Sequence, residues 1–434
     1  MTRGRFLSLV ALAPLCAVGS AWAQGGSADP AFADIPLHDW LRGGERSALR
    51  WSEHIAPARL GSQQRLLLQM TIQLDGQEIA DRPGKGRLLM LVQITDPQGG
   101  VWQDHGAPDF RKVEEGVRSQ YLTWTWSAFV LPGDYRVALA VVDTQNHDHG
   151  AREERVHVEA LRNDPLPDAW RGLPAVELLA PDQPPAFWYQ PDIRDRLHLP
   201  LATRRPVLVD VLVNLTPSER ASGSPGAQNN NLRVLLPALK VLSQMDPPSG
   251  SMNVSLLDLT RQKVTLQHDL HSLDWPMLRD ALGAQETGTI DVGSLEERSR
   301  SAAFFISEVR RRIAAHEGEA HALVILSSAV EFEKGEDLKP INAAPSSDLR
   351  VFYFRYPAFQ ERPARSERVM HGYGRHGGGG MPGEWRRPGY QGRELQIDQL
   401  EPTLKPLAPR LHDIESPEQF RKALAGMMDE ISRM

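Results

Sequence analysis

Cysteine is nearly absent from this chain of 434 residues: there is one, Cys16. A single thiol forms no internal disulfide, so the fold must stand on its apolar core, and a chain this long can bury one. Beyond Phe6 to Val18 no stretch nears the roughly 20 apolar residues that span a bilayer. There is no basic run, and 49 Lys and Arg against 55 Asp and Glu leave a net charge of -6. That balance gives no support for nucleic-acid binding. No G-x-S-x-G elbow, H-E-x-x-H helix or G-x-x-x-x-G-K-[ST] loop occurs, so the common hydrolase, zinc-protease and nucleotide motifs are missing.

The N-terminus has the three parts of a secretory signal, expected over residues 1–23. Arg3 and Arg5 are basic, Phe6 to Val18 is apolar, and Ala21-Trp22-Ala23 is a small-residue cleavage site before Gln24. The expectation is an exported protein, periplasmic or extracellular. Cys16 then leaves with the signal, and the bulky Leu15 before it argues against a lipid anchor there. Residues 24–60 are read as an extended lead-in. Strand signals begin at 61 and run to 162: Leu66, Leu68, Met70, Ile72 and Leu74 alternate with mostly polar neighbours, and Gln120 to Leu131 is rich in aromatic and β-branched residues. Turn signals between such strands predict an all-β antiparallel sandwich of immunoglobulin-like type. Residues 163–205 hold eight prolines and are expected to form a linker. From 206 to 434 apolar strands alternate with helical patterns, which predicts a doubly wound, mostly parallel, Rossmann-like α/β sheet. Residues 370–392 include Gly377 to Gly380, four glycines in a row. Glycine at that density is expensive to order, so a mobile surface insertion is expected.

The richest stretch is Pro206 to Ser218, PVLVDVLVNLTPS, an apolar strand running into a polar turn. With Thr287 to Ser294 ahead of a long helix, and with ALVILSSAVEF, it resembles the von Willebrand factor A proteins, in particular their secreted acidobacterial relatives. The resemblance covers 206–434, a little over half the chain. It implies a metal-ion-dependent adhesion site on the loops, with Asn214, Thr216, Ser218, Thr289 and Ser328 at its ligand positions. In that family two of those positions are Asp; here they are Asn214 and Ser328. Mg²⁺, the cofactor the resemblance brings, is a hard cation that wants carboxylate oxygen, and a neutral site gives up most of its attraction. The expectation is a degenerate site, no bound metal, and loops closed on their own hydrogen bonds. Glu331, Glu333, Glu336 and Asp337 are the nearest source of replacement charge. His147 with His149, and His371 with His376, are further metal-ligating pairs by residue type, weighed against a polar turn and a glycine-rich loop respectively. The aromatic run Tyr121, Trp124, Trp126 and Phe129 fits a sandwich core better than a carbohydrate platform. Asp210, a carboxylate in an apolar strand, has no evident role.

These features point to a non-enzymatic protein-binding or scaffolding protein, with its partner at the carboxyl end of the sheet. A hydrolase or metal-dependent enzyme with an unrecognised site, and a cell-envelope structural protein, are the alternatives. If the signal reading holds, intact-mass measurement of the exported protein will give a chain starting at Gln24; a mass that includes residues 1–23 refutes it.

Overall fold

The structure, a computed structural model, describes residues 35–43, 49–81, 87–107, 115–145, 148–179, 196–216, 227–247, 249–276, 278, 300–332, 339–341, 348–357 and 398–434. A short helix α1 (Leu37–Gly43) precedes β1 (Trp51–Leu60), β2 (Leu66–Asp75), a one-turn helix α2 (Gly76–Ala80), β3 (Leu88–Thr95), β4 (Val101–Gly106), β5 (Tyr121–Val130), β6 (Gly133–Asp143), β7 (His149–Val158) and β8 (Val176–Leu178). These strands make two sheets, β1-β2-β5-β8 and β4-β3-β6-β7. Every ladder in both is antiparallel. Alternation decides which faces meet. Leu68, Met70 and Ile72 of β2 and Trp126 of β5 join Val92, Ile94, Val137 and Leu139 of the facing sheet in one core. Gly106 is needed there, because a Cβ at that position would come within 2.5 Å of the Trp124 ring. Helix α1 covers the outer face of the β4-β3-β6-β7 sheet, where Leu37 packs with Leu91, Ala138 and Ala140.

The second half adds β9 (Leu199–Pro200), β10 (Leu208–Asn214), α3 (Ala227–Leu242), β11 (Met245–Asp246), β12 (Ser251–Asp258), β13 (Lys263–Asp269), α4 (Ser301–Ala315), β14 (His321–Ser328), β15 (Leu349–Tyr356), α5 (Leu400–Leu404), β16 (Arg410–Asp413) and α6 (Pro417–Ser432). Six of them form a sheet ordered β13-β12-β10-β14-β15-β16. Its pairs are parallel except β12 with the edge strand β13. Val209, Val211 and Val213 pack beneath Leu235 and Leu239 of α3 and Leu424 and Met427 of α6. Leu212, Ile325 and Tyr353, on the other face, pack beneath Phe305 and Val309 of α4 and Leu404 of α5. Burial on both faces explains why β10 and β14 are almost continuously apolar.

The expected fold class, a doubly wound and mostly parallel α/β sheet preceded by a sandwich, is corrected. Antiparallel pairing predominates among the described residues: of four sheets, two are antiparallel throughout and the six-stranded one carries an antiparallel edge, while the short β9–β11 pair is parallel. The two apolar runs at 206–214 and 322–326 are conspicuous, but they are outnumbered by strands that pair antiparallel. β1 lies inside the expected lead-in 24–60, where Pro57 and a register shift between Ala56 and Arg59 interrupt its alternation. β8 lies inside the expected linker 163–205 and pairs with β5.

A buried guanidinium joins the two halves. Arg421 of α6 donates through Nε and Nη2 to the two Asp164 oxygens at 2.6 and 2.8 Å, and through Nη2 to the Leu166 carbonyl at 2.8 Å. Its guanidinium carbon sits 4.8 Å from the Trp170 ring centre. Trp170 Nε1 donates to the Gln64 carbonyl at 2.7 Å, and Gln64 Nε2 donates to the Pro417 carbonyl at 3.1 Å. Gln64 holds a left-handed φ of 61° in the turn before β2, a strain these bonds stabilise. Burial pushes the Asp164 carboxyl up, but the hydrogen bond and charge of Arg421 hold it below the usual range. A carboxyl lowered in the folded state stabilises above its unfolded value and loses that contribution as pH falls through its folded one. Arg421→Ala strands Asp164 and should cost about 3–5 kcal/mol in chemical denaturation. The variant should also lose part of the wild-type decline in stability below about pH 4. A cost within about 0.5 kcal/mol would show that the joint is not held here.

Candidate functional site

The expected site lies where β10 and β14 end. Asn214, the last residue of β10, is buried and uses both ends of its amide. Its Nδ2 donates to Ser327 Oγ at 2.9 Å, and its Oδ1 accepts the Thr216 N–H at 3.0 Å. Thr216 Oγ1 accepts the Leu259 N–H at 2.7 Å, which ties the end of β10 to the end of β12. Ser327 Oγ donates to the Ser328 carbonyl at 2.6 Å. Ser328 does not meet Asn214 directly. Side chains alternate along β14, so Ser327 shares the Asn214 face and Ser328 points to the other. Ser328 Oγ donates instead to Asn231 Oδ1 of α3 at 2.5 Å.

Asn231 is the residue that the sequence reading missed. Its Nδ2 donates to the Asn214 carbonyl at 3.3 Å and to the Leu215 carbonyl at 3.0 Å. Those two carbonyls lie where the strand ladder stops, so they need side-chain donors. Asn231 lies near the start of α3, which begins at Ala227. An Asn next to a strongly apolar helical stripe was the available signal. Asn214, Thr216 and Ser328 are thus brought into one network through Asn231. Ser218 and Thr289 lie outside the described residues, as do His147, His371, His376, Glu333, Glu336 and Asp337. His149 stacks on Trp40 with ring centres 4.1 Å apart.

Chemically, this network has amides and hydroxyls but no carboxylate. Among the described residues no group of three or more His, Cys, Asp or Glu is arranged to hold a metal ion. Charge is present on the neighbouring strands β15 and β16. Ser327 pairs in register with Arg355 of β15, and Arg355 with Asp413 of β16. Arg355 bonds Asp413 at 2.7 Å, Glu401 at 2.8 Å and Asp398 at 3.2 Å. Asp398 is raised by burial, although it accepts the Val330 and Leu400 N–H groups and faces Arg355. The Tyr353 hydroxyl lies fully buried beside Asp398 and Ser327 without a well-formed hydrogen bond, and burial raises it far above its ordinary value.

Asp210 acquires a role at the opposite end of the same face. It is fully buried, with Arg312 Nη1 3.4 Å from Oδ1 and His321 Nε2 3.2 Å from Oδ2. His316 Nε2 is 3.9 Å from Oδ2, and Arg312 also reaches Ser255. Burial pushes Asp210 up, yet His321 and Arg312 outweigh it and its carboxyl lies below the usual range. The group holds α4 against β10, β12 and β14, which is a structural task.

No family model and no curated protein matches the chain. Among solved structures, the Northeast Structural Genomics Consortium target SoR45 is 16% identical over 27% of this chain and 95% of its own, with a TM-score of 0.16. The putative ApaA protein of Bordetella pertussis is 12% identical over 26% of this chain and 98% of its own, with a TM-score of 0.17. A β-glucosidase of Listeria innocua in complex with gluconolactone is 14% identical over 26% of this chain and 17% of its own, with a TM-score of 0.15. Likenesses this weak carry no argument about this chain.

Asn231→Ala removes three hydrogen bonds and leaves two buried carbonyls and the Ser328 hydroxyl unpaired. The expected loss is about 1–3 kcal/mol in urea denaturation. A change below about 0.5 kcal/mol would remove Asn231 from its bracing role.

Proposed function

We propose that the chain is an exported, non-enzymatic binding or scaffolding protein that takes a protein partner at the carboxyl edge of the six-stranded sheet without a metal ion. The resemblance of residues 206–434 to von Willebrand factor A proteins belongs to this proposal. One observation supports it above the others: Asn214, Thr216, Asn231 and Ser328 spend their polar groups on each other and on the backbone. Side chains committed in this way offer no free base or nucleophile among the described residues of this network. They also hold the edge in a preset shape, which lowers the ordering cost of binding a partner. A dication here would have to displace those hydrogen bonds and would find no carboxylate among these four side chains in return.

Two measurements test the reading. Millimolar Mg²⁺, Mn²⁺ or Ca²⁺ should leave the melting temperature unchanged, since a ligand that binds only the folded state must raise it. Capture from periplasmic or secreted extract should recover a stoichiometric protein, and Thr216→Arg should lose it. Metal stabilisation would overturn the metal-free site. Turnover in a broad hydrolase panel, abolished by one substitution, would overturn the non-enzymatic role.

A further inference from the structure

We infer that the outer face of the β1-β2-β5 sheet binds a neutral polysaccharide. This face is separate from the carboxyl edge discussed above. Of the two antiparallel sheets, one has its outer side covered by α1, while nothing among the described residues packs on the middle of the other. Register sets the open face out as rows. Ser52 pairs with Gln73 and Gln73 with Thr123; His54 pairs with Thr71 and Thr71 with Thr125. All six are at least partly exposed. Thr71 and Thr125 share a hydroxyl hydrogen bond of 3.1 Å, so the centre of the face is fixed. Tyr121 continues the β5 row and is 72% exposed.

The composition of this face is what singles out a ligand. Its rows hold hydroxyls, amides and an imidazole, but neither acid nor Lys or Arg. Formal charge lies at its two ends: Arg59, which reaches Gln69, at one, and at the other Asp75, which pairs in register with Tyr121 and has Arg50 3.9 Å away. The exposed strand β7 of the companion sheet, by contrast, shows Glu153, Glu154 and Arg155. A solvated surface ordinarily mixes charges of both signs to stay soluble, so a neutral sheet face is a departure. Nucleic acids and acidic polymers need cationic partners, which the rows lack. Stable protein interfaces are anchored by several large side chains seated in pockets; the described residues of this face offer one exposed aromatic, Tyr121. A neutral polysaccharide fits both features. Its hydroxyls can pair with Thr, Ser and Gln along the rows, and the C–H face of a sugar ring can lie on the exposed Tyr121 ring. A sheet holds such groups at fixed spacings, about 4.8 Å between strands, at little ordering cost.

The test is affinity electrophoresis of the full chain in gels cast with laminarin, arabinoxylan or dextran, with alginate as the acidic counterpart. At least one neutral polymer should retard the protein, with no dependence on added salt. Tyr121→Ala should weaken that binding about tenfold. Tyr121→Phe should keep it, and Thr125→Glu, which buries a charge under the ligand, should lose it. Both sites are exposed, and unchanged circular dichroism and melting will show that the variants fold. Failure of every neutral polymer to retard the chain would overturn the inference. So would wild-type behaviour of Tyr121→Ala, salt-sensitive binding to alginate alone, or capture of a protein through Tyr121 in place of a polymer.

Discussion

The buried guanidinium of Arg421 is the constraint on which the placement of everything else depends. A charge in a dry interior is tolerated only when each of its donors is met. Here Asp164, the Leu166 carbonyl and the face of Trp170 meet it from the first half of the chain, while α6 carries it from the second. Trp170 packs against the cores of both halves. Apolar contact alone would allow the halves to slide, because it is non-directional. The forked donors of an arginine allow one orientation. Gln64 shows how closely the surroundings are fitted: it keeps a left-handed backbone so that its carbonyl and side chain can both serve the joint.

Within the six-stranded sheet, one face changes character along its length. Asp210, Arg312 and His321 form a charged group at the amino end; Leu212, Ile325 and Tyr353 form an apolar middle; Asn214 and Ser327 form a neutral hydrogen-bonded row at the carboxyl end. Helix α4 lies along that face and matches it, with Arg312 near its last turn and Phe305 in its middle, while Ser301 at its start donates to the Leu259 carbonyl at 2.9 Å. Ions therefore fasten the end away from the candidate edge, and uncharged groups finish the edge itself.

Much of this was legible in the residues. The alternation of Leu66 to Leu74 marks a strand with one buried face, and the Val and Leu run from 206 to 213 marks a strand with two. What local pattern could not supply was partnership. Asp210 stands out in its strand, but Arg312 is 102 residues away and no spacing rule connects them. Ser328 was aligned with the Asn214 loop by sequence order, whereas the pleat turns it to the other face and presents Ser327. Asn231 follows Asn229 and Asn230, and nothing local marks it out from them. The fold class failed for a related reason: continuous apolar strands are easier to see than interrupted ones such as β1, whose Pro57 and register shift mask an edge strand.

The Arg421 joint also bears on the order in which this protein takes shape. Asp164 lies 257 residues from Arg421 along the chain, and Gln64 lies 357 away. Closing so long a loop is entropically costly and slow, and contacts of this separation form late. Each half has an extensive core of its own to collapse upon before the joint exists. Joining them is then a docking event within a single chain, in which α6, itself part of the second half's core, carries Arg421 to the first half.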